Sequence, residues 1–215
     1  MDFRFDIIIE YLPLLLKGTL WTIGISILAI LFGSVLGLGV ALGKMSHRGY
    51  LRWPASIYVN FFRGTPLLVQ ILLVHFGVVP LILGSTNAIV AAIVALSLNS
   101  AAYMAEIYRA GIQSIDQGQT EAAYSLGMTP GQTMRTIILP QAIKRMIPPF
   151  GNEFIVLIKD SSLFAVIAAP ELMYWSNAMR SQYFKVWEPY LTAALIYFIL
   201  TYSLNKLLAY LERRV

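Results

Sequence analysis

Polar and apolar positions fall in long blocks along this chain, not in the short alternation of strands. Residues 18–43, 64–105 and 189–205 contain no Asp, Glu, Lys or Arg. A bilayer span takes roughly 20 predominantly apolar residues. The first block fits one span and the last a slightly short one. The middle block fits two, divided by the turn residues Gly84-Ser85-Thr86-Asn87. A further block, 148–170, is apolar except for charges at Glu153, Lys159 and Asp160. The pattern predicts an all-α transmembrane fold over 1–215, with five spans at roughly 18–43, 64–83, 88–108, 148–170 and 189–208.

The segments between spans have their own character. Residues 1–17 mix charged and apolar side chains, lack the basic start and small-residue cleavage site of a signal peptide, and read as a short helix on the outer membrane surface. Residues 44–53 form a basic loop, 109–147 a long polar segment and 171–188 a last loop. Gly33-x-x-x-Gly37 and Gly39-x-x-x-Gly43 in the first span allow close helix approach, within the bundle in preference to a dimer face.

Composition agrees with a membrane protein. Hydrophobic residues make up 58% and charged residues 13% of the chain, against about 25% charged in ordinary soluble domains. There is no cysteine, so thiol and disulfide chemistry are excluded. The net charge of +5 invites a nucleic-acid reading, but its distribution is an orientation signal. Lys44, Arg48, Arg52, Arg109, Arg135, Lys144, Arg145, Lys206, Arg213 and Arg214 fall on one side of the predicted bundle. Arg4, Lys17, Arg180 and Lys185 fall on the other. The positive-inside rule puts the N-terminus outside and the C-terminus in the cytoplasm. Nucleic acid is not an expected partner. Residues ending in Gly43-Lys44 approach a phosphate-binding loop, but Leu38 and Met45 break the motif. A lone His75 gives no metal site and reads as a packed neutral side chain. Trp21, Tyr174, Trp175 and Trp187 read as an interfacial belt.

The polar segment carries helix punctuation. Ser114 with Gln117 has capping-box spacing, and Gly127 supplies a left-handed stop, so 115–126 reads as a short helix. Thr129, Pro130 and Gln132 open a second short helix, which Pro140 ends or kinks. Ala122, Ala123, Leu126 and Met128 give it a mildly apolar surface, with Glu121 at its start. Partner docking and rest on lipid headgroups are both open on these grounds. In the fourth span, Glu153 and Asp160 are seven residues apart and share a face, whereas Lys159 points about 100° away. Charge at membrane depth is expensive and marks a functional candidate.

Glu121-Ala122-Ala123, Gly127 and Ile137-x-Leu139-Pro140 resemble the EAA loop of ATP-binding-cassette importer permeases. Phe62-Arg63-Gly64-Thr65-Pro66-Leu67-Leu68, Ala102-Tyr103-x-x-Glu106-x-x-Arg109-x-Gly111 and Lys159-Asp160-Ser161-Ser162-Leu163 resemble its polar amino acid branch. The resemblance runs from about residue 12 to 210. It implies a multi-pass permease of the bacterial cytoplasmic (inner) membrane, paired with a second copy or a paralogue. It also implies a separate cytoplasmic ATPase that carries ATP and Mg, and an extracytoplasmic solute-binding protein. This chain would bind no cofactor and make no bonds itself. The loop would dock the ATPase through Glu121, Ala122, Ala123, Leu126 and Gly127.

An amino acid pathway needs partners for an ammonium and a carboxylate. Glu153 and Asp160 suit cationic groups, Lys159 a carboxylate, and Asn99, Ser100, Ser161 and Ser162 hydrogen bonds. The expected substrate is a basic amino acid (arginine, lysine or histidine), with glutamine or another polar amino acid as the alternative. Glu153 snorkelling to the interface, or Lys159 pairing with Glu106 or with Asp160 of a second subunit, would instead make these charges structural. Arg63 and Glu106 read as interface residues. The rival functions are a secondary transporter, with the acids as ion sites, and a non-transporting scaffold or sensor subunit.

Overall fold

Long apolar blocks do become long helices in the computed structural model, which describes residues 3–213. The first, α1, runs unbroken from Phe5 to Met45. At 1.5 Å per residue its 41 residues reach about 60 Å, twice the hydrocarbon thickness of a bilayer. The expected surface helix over 1–17 is therefore not separate from the first span. Its inner face is instead buried, with Ile7, Tyr11 and Leu15 packed against Leu172 and Met179 near the other end of the sequence. Met1, Asp2, Arg214 and Val215, including one of the orientation-setting arginines, lie outside the described residues.

The predicted basic loop is shorter than expected, because helix α2 (Gly49–Gly64) begins inside it. Helix α3 (Leu67–Leu83) follows at 109° to α2. Pro66 forces the bend: the residue before a proline is pushed out of the helical region, and Thr65 is extended at φ −117° and ψ 148°. Helix α4 (Ala88–Gln113) is capped by the Asn87 side chain, which accepts from the Val90 amide at 3.0 Å.

Helix α5 (Gln117–Ser125) is capped by Asp116, whose carboxylate accepts from the Gly118 amide. The expected cap, Ser114, instead donates its hydroxyl to the Gly111 carbonyl in the last turn of α4. Gly127 stops α5 as expected. Its φ is +79°, its amide donates to Tyr124 O, and the Met128 amide reaches back to Ala123 O. This pair of bonds is the Schellman pattern.

The second loop helix is not short. It opens on the expected Thr129–Gln132 capping box and continues as one helix, α6, over 130–160. Pro140 fails to break it because the five residues Met134–Ile138 form a π turn, where the Leu139 amide bonds Met134 O. The wider turn relieves the clash of the proline ring with the carbonyl four residues earlier. The same device carries α3 past Pro80, through a π turn at Val74–Val78. Beyond Asp160 the chain tightens into a 3₁₀ helix, Ser161–Ile167, which ends at Ala168 in the left-handed region. The last loop is largely helical: α7 (Leu172–Tyr183) precedes α8 (Trp187–Glu212).

By length and composition α1, α4 and α8 each suffice to cross a membrane, and the bent α2–α3 pair makes a fourth candidate. The charged helix α6, which holds the expected fourth span, is not among them. The core forms where α1 crosses α4 through small residues. A Cβ at Gly33 would lie 2.8 Å from Ser100 Cβ, and one at Gly37 2.6 Å from Met104 Cβ. This first glycine pair packs inside the bundle. The second does not act as a pair, since Gly43 approaches Ala55 of α2 while Gly39 meets open space. Trp175 is also no belt residue: its ring lies against Gly18 of α1 and its indole nitrogen is buried.

Candidate functional site

Continuity through Pro140 lets one helix carry both the end of the loop and the charges at Glu153, Lys159 and Asp160. Arg145, Pro149, Glu153, Leu157 and Asp160 then recur at helical spacing along one side of α6. Glu153 is 7% exposed and accepts no hydrogen bond among the described residues. Ser100 of α4, Asp160 and Arg63 lie within electrostatic reach of it. The Ser100 hydroxyl is itself buried without a partner. Two polar groups with spare hydrogen-bonding capacity thus face each other between α4 and α6.

The other expected site residues divide. Asp160 is half-buried, while Lys159 projects elsewhere, into a cavity of about 430 Å³ with Ser162, Met173, Tyr190 and Tyr197. Ser161 and Ser162 donate their hydroxyls to the carbonyls of Ile158 and Lys159. Asn99 serves the backbone bend. Its Nδ2 donates to Gln70 Oε1 at 2.9 Å and to Phe62 O, while Gln70 Nε2 donates to Phe62 O, Thr65 O and Thr65 Oγ1. Asn99 and Gln70 together clasp the α2–α3 corner. Of the expected polar set, Glu153, Ser100 and Asp160 come together.

At the loop end of the bundle, Glu106 gathers three cations. Lys44 Nζ lies 2.5 Å from Oε1, Arg109 Nη2 2.7 Å and Arg63 Nη1 3.9 Å from Oε2. The cluster ties the ends of α1, α2 and α4, and the alternative pairing of Glu106 with Lys159 does not form. Arg145 donates through Nη1 to Ser114 O, joining α6 to the chain entering the loop.

The loop presents Glu121, Ala122 and Gly127 to solvent, with Leu126 83% exposed. Ala123 departs from expectation. It is 4% exposed, because its side of α5 faces the α6 end of the loop. Exposed Tyr124 extends the outward surface and had no motif to mark it. Sequence reasoning also missed Glu171. It is fully buried, caps α7 by accepting from the Met173 and Tyr174 amides at 2.7 Å, and accepts from Tyr197 Oη of α8 at 3.0 Å. A glutamate in a stretch read as loop gave no such signal.

Residues 29–215 match the family described as binding-protein-dependent transport system inner membrane component. The probable amino-acid ABC transporter permease protein YckA of Bacillus subtilis is 44% identical over 91% of this chain and 86% of its own length. The arginine transport system permease protein ArtQ of the same organism is 38% identical over 100% and 98%. Other relatives carry names for L-cystine and glutamine transport. A solved structure of an amino acid ABC transporter with histidines superposes with a TM-score of 0.95 at 43% identity, covering 100% of both chains. By family match, sequence identity and superposition, this chain belongs to the inner membrane permeases of amino acid ABC importers.

Proposed function

We propose that this chain forms one half of the translocation pathway of an importer for basic amino acids. It pairs with a second copy or a paralogue and docks a cytoplasmic ATPase. An extracytoplasmic binding protein hands over the substrate, and the chain holds no cofactor and does no bond chemistry itself. The observation that carries the substrate assignment is Glu153, a buried carboxylate with no ion-pair partner among the described residues, beside the Ser100 hydroxyl and on the same helix face as Asp160. A cationic side chain supplies what this environment lacks. The relative named for arginine and the solved neighbour with histidines support this choice. Relatives named for L-cystine and glutamine mark the alternatives.

The test is uptake by the chain reconstituted with its ATPase and binding protein, comparing arginine, histidine, glutamine and glutamate. Preferred arginine or histidine uptake is expected, and preferred glutamate uptake overturns the assignment. ATPase docking uses the outward surface of α5 and needs the left-handed turn at Gly127, whose Cβ position has free space but whose φ of +79° disfavours side chains, β-branched ones most. Gly127→Val is expected to insert in the membrane yet lose ATP-driven uptake. Normal uptake by that variant removes the coupling role.

A further inference from the structure

One guanidinium in the Glu106 cluster is surplus to it. Glu106 already accepts from Lys44 Nζ and from both Arg109 Nε and Nη2. Arg63 reaches only 3.9 Å from the same carboxylate and donates no hydrogen bond among the described residues. It lies instead over the Tyr103 ring, 5.3 Å from the centroid. Stacking fixes the plane of a guanidinium and leaves its edge donors free. A cavity of about 450 Å³ opens beside it, lined also by Tyr103, Glu106, Ser114, Arg145 and Pro149. Arg145 there already donates to the Ser114 carbonyl. Cations outnumber the one carboxylate, and a free, oriented guanidinium is matched by a planar anion.

The position of the cavity selects the anion. Tyr103 stands one turn from Ser100 on α4, and Pro149 one turn from Glu153 on α6, both toward the loop end. The cavity therefore begins about 6 Å below the Glu153–Ser100 level. Arg63 and Glu153 lie within electrostatic reach of each other. Such an offset suits the side-chain cation and the α-carboxylate at opposite ends of one long amino acid. Lys159, the carboxylate partner expected from sequence, opens onto a different cavity.

We propose that this cavity is a carboxylate-binding site for the transported amino acid, with Arg63 as its direct partner. The assignment rests on Glu153 as the cation contact. The substrate then lies with its cation toward the membrane centre and its carboxylate toward the loop end. Recognition requires both charges, so a decarboxylated amine is discriminated against.

The test measures binding of labelled L-arginine to the chain assembled with its ATPase in lipid nanodiscs, with agmatine, which lacks the carboxylate, as competitor. In the wild type agmatine is expected to compete about tenfold more weakly, the loss of one charge-assisted contact. Arg63→Gln is expected to weaken arginine about tenfold and leave agmatine unchanged, so the two converge. Arg63→Lys, which keeps the charge and the assembly, recovers part of the difference. Glu153→Gln weakens both ligands. An arginine-to-agmatine ratio unchanged in Arg63→Gln, or equal weakening of both ligands by it, overturns this site while leaving Glu153 in place. Failure of the wild type to bind arginine, or indifference to Glu153→Gln, overturns both assignments. A ratio that disappears in the wild type when anionic lipid is added makes a headgroup phosphate the occupant and also overturns this site.

Discussion

Glu106 and Glu153 are carboxylates on neighbouring helices of one bundle, and their surroundings are opposite. Glu106 is crowded by Lys44, Arg109 and Arg63 from three helices. Glu153 is more deeply buried, forms no ion pair among the described residues, and has the Ser100 hydroxyl, Asp160 and the more distant Arg63 within electrostatic reach. A charge with all its partners inside the fold holds helices together. A charge without an ion pair inside the fold retains capacity for a partner outside the chain. The difference is the ground for reading Glu106 as a structural acid and for proposing Glu153 as a pathway acid.

Replacing each acid by its amide should therefore give opposite losses. Glu153→Gln is expected to lower arginine uptake at least about tenfold, the weight of one charged contact, while the assembled complex unfolds at an unchanged or higher temperature. Loss of stability with uptake intact would invert the comparison. Glu106→Gln removes the shared anion from among three cations and is expected to destabilise the complex by about 2 kcal/mol in thermal unfolding. The substrate preference of whatever still assembles should stay as in the wild type. A changed preference would make Glu106 a pathway residue as well.

The smallest change sharpens the comparison by touching the Glu153-bearing segment without altering charge. Ala168 ends the 3₁₀ helix at φ 58°, with its amide bonded to Ala165 O and the Ala169 amide to Phe164 O. This is the hydrogen-bond pattern of the Gly127 stop, built on a residue that has a Cβ. Ala168→Gly is expected to stabilise the complex by about 1 kcal/mol and leave uptake unchanged. A fall in uptake would show that the strained stop takes part in transport.

Local signals were legible where they depended on neighbours in sequence. The Thr129–Gln132 box and the Gly127 stop could be read from residue types, because both are closed by hydrogen bonds within a few positions. Helices α2 and α7 could not, since loop-like composition does not reveal that Val59 or Leu172 will be buried against distant segments. That the helix would not end at Pro140 was hidden for a related reason. The π turn that absorbs it forms over five residues with no compositional mark.

Block hydrophobicity determined that the chain is helical and membrane-embedded, since only apolar helices of such length satisfy their backbone groups in lipid. The EAA-type spacing determined the loop and the family. Which charges are satisfied was decided by the tertiary structure alone. Asn99 was drawn to the α2–α3 corner, Lys159 to a separate cavity, and Arg63 to a cluster already complete without it. Pairing is a property of distance between helices, and no spacing along one helix records how far away the next one lies.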